Sequence, residues 1–320
     1  MESLSKYKLQ ENEMRAVVSH TFKQSYISAM ELSDGWANMA YSILLDDGRS
    51  VVLKVAPPKD RLRMRCEKNN MRTEIEALTI AADSAEPLPV PRIYSYDPSF
   101  TLIPAEYFFM EHMQGTPLRK IKPSLSPEEK DGIERQLGIY NKRINSFKGT
   151  TFGYFNKEDG CKETWAEVFL AMIDDVLADG KEAGVSLPAP YSVIEKEIIR
   201  LSDSMHEVKE ACLVHWDLWD GNVFIHEGEV SGIVDFERAF WGEPLIEYYF
   251  GRFANSAAFN DGYGRSIVTD SERRRRVLYD FYLDLLLVIE CAFRQYENRN
   301  HIKWAYENFN EGFRRLQQAD

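Results

Sequence analysis

The segment from His215 to Asn222, together with residues 232–237, constrains this chain more than any other feature. The first reads His-Trp-Asp-Leu-Trp-Asp-Gly-Asn and the second reads Gly-Ile-Val-Asp-Phe-Glu. They place Asp217, then Asn222 five residues later, then Asp235 past a short hairpin, all beside apolar runs of the strand type. A lone Asp or Asn usually caps a helix or closes a turn. Three of them at this spacing indicate one shared site.

These residue types indicate phosphoryl transfer from a magnesium nucleotide. The spacing H-x-D-L-x-x-x-N matches the kinase catalytic loop, in which the Asp accepts the proton of the substrate hydroxyl and the Asn holds a metal ion. Asp217 is therefore the candidate general base. Asn222 and Asp235 are the candidate magnesium ligands, because magnesium prefers carboxylate and amide oxygens. Asp235 and Phe236 keep the first two letters of the D-F-G motif, and Glu237 stands where Gly would be.

The two segments resemble the aminoglycoside phosphotransferase and choline kinase-like family of small-molecule kinases. The family form is approximately H-G-D-L-x-x-x-N, followed by I-D-[FW]-E-x-A-x-x-G-[DE]-P, and residues 235–244 follow the second part closely. Trp216 departs from the usual small residue, and His215 is expected to have a structural role. The resemblance implies an α+β, bilobal protein kinase-like fold. It assigns residues 1–115 to a small antiparallel-sheet lobe that binds the nucleotide and ends in a hinge. Residues 116–320 form a mostly helical lobe with the catalytic loop and the substrate pocket.

The first third of the chain supports a nucleotide lobe. Residues 26–33, 39–45 and 50–55 read as strands, and Asp-Asp-Gly before the third is a hairpin signal. Lys54 lies inside an otherwise apolar run, where burial is costly unless an anion meets the ammonium group. It occupies the place of the Lys that pairs with nucleotide phosphates in the kinase V-A-I-K strand. On the helix predicted over residues 68–82, Glu74 is the expected partner of Lys54, and Glu76 is the alternative.

Residues 88–94 and 107–110 predict two further strands, and residues 111–115 follow as the hinge. The resemblance implies that the hinge backbone at Glu111 and Met113 receives the adenine. Backbone groups do this binding, so the side chains there carry little information.

A loop containing Gly35 lies where a kinase covers the phosphates. One Gly permits a tight turn close to a phosphate, although an ordinary hairpin connection explains the loop equally well. The absence of G-x-x-x-x-G-K-[ST] disfavours a P-loop NTPase. The implied cofactors are ATP and Mg²⁺, and the residues do not distinguish ATP from GTP.

Composition sets limits on partners and location. The 320 residues include 39 basic and 51 acidic side chains, giving a net charge of −12, which disfavours nucleic acid and anionic membranes as partners. The N-terminus lacks an apolar signal core, and acidic residues interrupt the most apolar helix, residues 277–293. The cysteines are widely separated and read as free thiols of a reducing compartment: Cys66, Cys161, Cys212 and Cys291. These features predict a cytoplasmic protein, and they leave its oligomeric state open.

The C-terminal part is predicted to be mostly helical. The expected helices span residues 126–147, 165–179, 193–208, 244–253, 270–296 and 303–316. The four arginines at 273–276 are expected to form a solvated or ion-paired helix face rather than a nucleic-acid patch. Acidic residues suggest a pocket wall for an amine-bearing acceptor such as an aminoglycoside, an amino sugar or choline: Glu163, Glu167, Asp174, Asp175, Asp179, Glu243 and Glu247. A solvated acidic helix face is an equally good interpretation of those in the insertion.

The leading hypothesis is an ATP- and magnesium-dependent enzyme that phosphorylates a hydroxyl group of a small molecule. A non-catalytic nucleotide-binding pseudokinase is the competing class. Such proteins usually lose the strand Lys, the loop Asp or the metal Asp, and this chain has Lys54, Asp217 and Asp235. A peptide-directed kinase is the third option. Trp216 in place of the usual Arg, and the lack of an A-P-E segment, argue against regulation by activation-loop phosphorylation.

Overall fold

The protein was analysed as a computed structural model, which describes residues 7–32, 38–59, 61–155 and 164–319. Its N-terminal part is built on a five-stranded antiparallel sheet in the order β1-β2-β3-β5-β4. The strands are β1 (Tyr26–Glu31), β2 (Met39–Leu45), β3 (Ser50–Val55), β4 (Ile93–Asp97) and β5 (Tyr107–Glu111). Helices α1 (Glu11–Phe22) and α2 (Asn70–Ala82) accompany the sheet. The predicted small antiparallel sheet is therefore confirmed.

The sequence explains why β3 becomes a central strand. The Asp-Asp-Gly turn joins β2 to β3, and Gly48 takes a φ of +84°, which a side chain would strain. After Ser50, all remaining residues of β3 are buried, as expected for a strand covered on both faces. Lys54 pairs in register with Ala40 on one side and Phe108 on the other. The neighbours of Lys54 on the two adjoining strands are therefore both apolar.

The rest of the described chain is mostly helical. Its helices are α3 (Leu118–Ile121), α4 (Pro127–Ile144), α5 (Trp165–Glu182), α6 (Tyr191–Ser202), α7 (Ala257–Tyr263), α8 (Asp270–Phe293) and α9 (Arg299–Gln318). Helices α4, α5 and α8 begin with capping boxes, in which Ser126, Thr164 and Thr269 accept a hydrogen bond from the amide three residues later. The predicted helical C-terminal part is confirmed, with most boundaries shifted by a few residues.

Short strands hold the catalytic segment in place. β7 (Cys212–Val214) pairs with β10 (Phe240–Gly242), and β6 (Thr116–Pro117), β8 (Val223–His226) and β9 (Glu229–Ile233) form a three-stranded sheet. The catalytic loop therefore runs between β7 and β8. Asp235 follows the end of β9, as the sequence predicted for a residue past a short hairpin.

The helix predicted over residues 244–253 is wrong. The segment forms two short 3₁₀ turns, Pro244–Ile246 and Tyr248–Phe250. The guanidinium group of Arg276 donates to the carbonyls of Leu245 and Glu247. These two carbonyls therefore have hydrogen-bond partners without an α-helix. An α-helix would gain no hydrogen bonds at these carbonyls. The first strand also ends at Glu31, before residue 33, and β4 begins at Ile93 rather than at residue 88.

The arginine run is only partly a surface feature. Arg275 and Arg276 are buried, and they pair with Glu243 and Asp280 respectively. The expected ion pairing is present, but for these two side chains it is internal. Burying a guanidinium is tolerated where a carboxylate and carbonyls meet it.

The sequence interpretation missed three helices, α1, α3 and α7. Helix α7 packs against α4. There Gly262 and Gly138 allow close backbone contact, since a Cβ at either would meet main-chain atoms within 2.2 Å. Within the described ranges, no helix is long and apolar enough to cross a bilayer.

Candidate active site

A cavity of about 610 Å³ lies between the sheet and the catalytic loop. Its volume is in the usual range for small-molecule sites, roughly 300–1,000 Å³. Lys54, Asp217, Asn222 and Asp235 all line it, although they lie up to 181 residues apart in the sequence. The fold therefore brings the candidate site residues to one place.

Lys54 bridges the two parts of the chain. Its Nζ lies 2.6 Å from Glu74 Oε1 on α2 and 2.6 Å from Asp235 Oδ1. The Lys54 side chain is almost fully buried, which disfavours the charged ammonium. The carboxylates of Asp235, Glu74 and Glu237 outweigh this effect and raise the pKa of Lys54 above its usual value. Glu76 instead pairs with Arg72, so the structure resolves the choice of partner in favour of Glu74.

Asp235 has an unusual backbone conformation. Its φ is +70° and its ψ is +55°, in the left-handed region, which Asp tolerates better than most side chains. Burial raises the pKa of Asp235, but the charge of Lys54 outweighs burial and lowers the pKa overall. This shift favours the ionised carboxylate of Asp235 in the cavity.

Three carboxyl groups lie together beside Lys54. The oxygens of Glu74, Asp235 and Glu237 lie within 4.8 Å of one another. The ammonium group of Lys54 contacts two of them. Burial, reinforced by the charge of Asp235, raises the pKa of Glu237 to about 8. Glu237 is therefore protonated more readily than an ordinary glutamate, whereas the charge of Lys54 favours the ionised form of Asp235.

Asn222 is fixed by Asp217. Its Nδ2 donates to the Asp217 backbone oxygen (2.9 Å) and to the Asp217 Oδ2 (3.1 Å). Since the amide nitrogen is engaged in this way, Oδ1 is the atom that remains for a metal ion. Burial raises the pKa of Asp217 to about 7, with Asp235 and Glu290 adding to the effect and Arg238 opposing it. Such a pKa suits a residue that accepts a proton near neutral pH.

His215 organises the backbone of the catalytic loop. Its Nδ1 accepts a hydrogen bond from the Asp217 amide (3.2 Å), so Nε2 carries the proton and donates to the Val234 carbonyl (3.1 Å). Burial lowers the pKa of His215, which keeps the ring neutral. This arrangement agrees with the structural role expected from the sequence.

Glu247 is the main site residue whose role the sequence analysis missed. It was expected to form an acidic pocket wall, and this expectation is wrong. The side chain is completely buried, and its oxygens accept hydrogen bonds from the amides of His215 (2.8 Å) and Trp216 (2.9 Å). Asn141 and Asn145 donate to it as well, at 3.0 and 3.1 Å. Glu247 therefore anchors the backbone next to Asp217. Its position three residues after Gly-Glu-Pro was the available signal.

The packing of Trp216 explains why a large residue is tolerated where the family form has a small one. Its φ is +62°, a conformation that favours Gly and costs other L-residues roughly 1–2 kcal/mol. The indole is 6% exposed and stacks on Tyr282 at 5.1 Å. The guanidinium of Arg238 lies 5.8 Å from its centre. Burial and stacking of a large ring offset the backbone strain.

Glu237 links the segment after β9 to the residue that precedes β2. Its Oε2 accepts a hydrogen bond from Asn38 Nδ2 at 2.6 Å, and both side chains are buried. Asn38 is the last residue of the predicted phosphate-covering loop, residues 33–38. Residues 33–37 of that loop, with Gly35, lie outside the described residues. The Glu in place of the D-F-G glycine was a visible signal, but its partner was not predictable.

The cavity wall next to the five-stranded sheet is apolar. Val52, Ala40 and Met110 line it, and Glu111 and Met113 of the predicted hinge line the cavity as well. Apolar walls with a few polar groups are typical of small-molecule sites.

The predicted acidic wall is absent from the cavity lining in the described parts of the chain. Glu243 is buried against Arg275, and Asp179 accepts hydrogen bonds from Arg65. Glu167, Asp174 and Asp175 do not line the cavity either, while Glu163 and Cys161 lie outside the described residues. Asp179 and Glu243 therefore pair with arginines and form no part of a pocket wall. Cys66, Cys212 and Cys291 are free thiols, as predicted.

Solved structures with the same fold are phosphotransferases and kinases. A thermostable mutant of aminoglycoside phosphotransferase APH(4)-Ia, in a ternary complex with ADP and hygromycin B, superimposes with a TM-score of 0.66 at 19% identity, covering 94% of this chain and 98% of that one. A protein assigned as a fructosamine-3-kinase from Thermobifida fusca has a TM-score of 0.66 at 18% identity, with 95% and 100% covered. These similarities confirm the bilobal kinase-like fold.

Curated relatives match part of their own length only. Acyl-CoA dehydrogenase family member 11 of Rattus norvegicus is 24% identical over 237 residues, which cover 70% of this chain and 28% of the relative. The protein of the same name from Homo sapiens is 28% identical over 173 residues, covering 50% and 20%. This chain therefore spans less than a third of the length of these relatives.

A family model gives the most direct assignment. The model described as the phosphotransferase enzyme family, APH, matches residues 28–277, which include β1 through most of the catalytic and helical elements. The match contains Lys54, Glu74, Asp217, Asn222 and Asp235. The chain therefore belongs to the phosphotransferase enzyme family (APH), as its catalytic-loop motif predicted.

Proposed function

We propose that this protein transfers the terminal phosphoryl group of ATP, or of GTP in its place, to a hydroxyl group of a small molecule, with magnesium as cofactor. The observation that carries the proposal is the convergence of Lys54, Asp217, Asn222 and Asp235 on one cavity. In phosphoryl transfer, the protein mainly positions groups and offsets negative charge. A buried ammonium and a set of oxygen ligands around one cavity supply both.

In this proposal, residues 1–115 form the nucleotide lobe and residues 116–320 the lobe that carries the catalytic loop and the acceptor. Lys54, held by Glu74, meets the nucleotide phosphates. Gly35 belongs to the loop that covers them, and Glu111 and Met113 receive the base through their backbone. Bound magnesium would neutralise the phosphate charge during transfer.

Magnesium fits the donor set of this chain. Asp235 offers a carboxylate that is kept ionised by Lys54, and Asn222 offers an amide oxygen. Both are hard oxygen ligands of the kind that magnesium prefers. Asp217 then orients the acceptor hydroxyl and takes its proton, a contribution worth about 10²–10⁴-fold in rate.

We do not propose for this chain the dehydrogenase activity that the names of the curated relatives indicate, because the chain matches less than a third of those proteins. It also does not depend on an amine-bearing acceptor. None of the described acidic residues that suggested one lines the cavity. Asp179 and Glu243 pair with arginines, and Glu247 binds the backbone of the predicted catalytic loop.

A comparison of two variants tests the proposal. Asp217→Asn should reduce ADP release with a hydroxyl acceptor by about 10²–10⁴-fold, while calorimetry shows Mg-ATP binding close to wild type. Asp235→Asn should weaken Mg-ATP binding itself. Asp131→Asn, on the exposed face of α4, is the matched control and should change neither quantity. Wild-type turnover in Asp217→Asn would refute the assignment of the base.

A further inference from the structure

Beyond Asp217, the cavity has an apolar half formed by the C-terminal part of the chain. We propose that this half accepts a hydroxyl compound with a flat apolar body and no cationic groups. The proposal rests on the phosphotransferase function argued above and names the class of acceptor. The apolar half is defined by Trp219, Tyr248, Phe253, Leu283, Leu287 and Trp304.

Helix α8 presents leucines to this half. Most residues of α8 between positions 278 and 291 are buried in the protein core, whereas Leu283 and Leu287 are only partly buried and line the cavity. They are spaced i, i+4, so they lie on one stripe of the helix. The same stripe continues to Glu290 and Arg294, which also line the cavity. A stripe that leaves leucines facing an open cavity is suited to contact with an apolar ligand.

A series of neighbouring aromatic rings also lines this half of the cavity. Tyr248 and Phe253 are nearly parallel, with 4° between their planes and 6.5 Å between centroids. Phe253 lies 6.2 Å from Trp304, and Trp304 stacks on His301 at 5.4 Å. Trp304 is 41% exposed, unusual for so large a ring, while lining the cavity. A flat apolar group can stack on such a wall.

Trp216 extends the apolar character to the reacting position. It precedes Asp217 directly, lines the cavity and stands where the family form has a small residue. Its indole is 6% exposed and stacks on Tyr282, so it contributes a small part of the cavity wall. An acceptor hydroxyl at Asp217 would therefore have an aromatic residue as a neighbour.

The charges of this half disfavour a cationic acceptor. Within the described parts of the chain, the whole cavity has five acidic lining residues, Glu111, Asp217, Asp235, Glu237 and Glu290, and of these only Glu290 lies on α8 with Leu283 and Leu287. Asp235 is already paired with Lys54. Glu290 is already bound by Arg238 at 2.7 Å and by Arg294 at 2.9 Å, so its charge is neutralised internally. Arg119 and Lys120 also line the cavity. An acceptor with several ammonium groups would lose hydration against rings and cations without gaining carboxylate partners.

Calorimetric titration in the presence of Mg-ADP tests this inference without relying on turnover. The probes are naphthylethanol, a flat apolar alcohol, and kanamycin, an alcohol with several ammonium groups. Naphthylethanol should bind at least tenfold more tightly than kanamycin. Trp304→Ala and Leu287→Asn should each weaken naphthylethanol binding about tenfold, which equals about 1.4 kcal/mol. Their affinity for Mg-ADP should stay at the wild-type value, showing that the fold is intact.

Ile199→Ala is the matched control. Ile199 is an exposed apolar residue of α6 outside the cavity lining, so its truncation should leave both affinities unchanged. Tighter binding of kanamycin, absence of naphthylethanol binding, or equal affinities in Trp304→Ala and Ile199→Ala would each overturn the inference. ADP release is measured separately. Binding of naphthylethanol that depends on Trp304, without ADP release from any alcohol, would support the ligand class and refute the phosphotransferase function.

Discussion

Replacing Glu247 by Gln is the sharpest perturbation that the structure offers. Glu247 receives four hydrogen bonds, three at Oε1 and one at Oε2. A Gln that keeps its oxygen at the Oε1 position places an NH₂ group against the Trp216 amide. Turning the Gln over would instead place the NH₂ against three donors, which is worse.

The expected cost follows from these contacts. The favoured orientation removes one charge-assisted hydrogen bond and leaves the buried Trp216 amide unsatisfied, which costs about 2–3 kcal/mol of stability. Because Asp217 is the next residue, the loop carrying it also shifts. A misplacement of this kind should lower kcat by about ten- to a hundredfold. The affinity for Mg-ATP should stay near wild type, because Lys54 and Asp235 do not contact Glu247.

Two measurements check this prediction: the free energy of unfolding from denaturant titration, and kcat from coupled ADP release. Glu229→Gln, at an exposed position of β9, serves as the matched control. The reasoning would be refuted if Glu247→Gln equalled Glu229→Gln in both stability and kcat.

Three further predictions follow from the same site. Lys54→Met leaves the carboxylates of Glu74 and Asp235 without their ammonium partner, so the free energy of unfolding should fall by about 3–5 kcal/mol. Calorimetry should also show at least tenfold weaker Mg-ATP binding. An unchanged affinity for Mg-ATP would contradict the role of Lys54. The charges of Arg294 and Arg238 outweigh the effect of burial and lower the pKa of Glu290 to about 2, below its ordinary 4.5. Glu290 therefore stabilises the fold above pH 4.5, and this stabilisation is lost as the pH falls toward 2. The stability gap between wild type and Glu290→Gln should therefore narrow on acidification, and a gap independent of pH would rule this out. Trp216→Gly relieves a left-handed backbone but removes a buried ring, so it should destabilise the protein by about 2 kcal/mol in denaturant titration; a more stable variant would show that strain dominates.

The elements that the sequence predicted well are those with strong local signals. The hairpin before β3 follows from Asp-Asp-Gly, and helices α4, α5 and α8 follow from their periodic apolar residues and caps. Lys54 was identifiable because a lysine in an apolar strand requires an anionic partner. The spacing of Asp217, Asn222 and Asp235 predicted one shared site, because each residue type has a defined chemical role in the kinase motif, and the structure places all three on one cavity.

What the sequence did not predict depends on contacts between distant segments. Residues 244–253 have helical composition. The guanidinium of Arg276, however, donates hydrogen bonds to two carbonyls of that segment, which lie 29 and 31 residues earlier in the sequence. Glu247 was assigned to the pocket wall because its surface exposure, unlike its charge, is not readable from a single sequence. The apolar half of the cavity combines side chains of the catalytic loop, the segment after Pro244, α8 and α9. These segments lie far apart in the sequence, and only the fold places them together.

Phosphorus NMR of the complete reaction tests the central claim most directly. Wild-type protein, Mg-ATP and an apolar alcohol that it binds should produce a new phosphomonoester resonance in equal amount to ADP, and Asp217→Asn should abolish it. Conversion of ATP to ADP and inorganic phosphate alone, or an ester signal undiminished in Asp217→Asn, would contradict a phosphoryl-transfer centre built on Asp217.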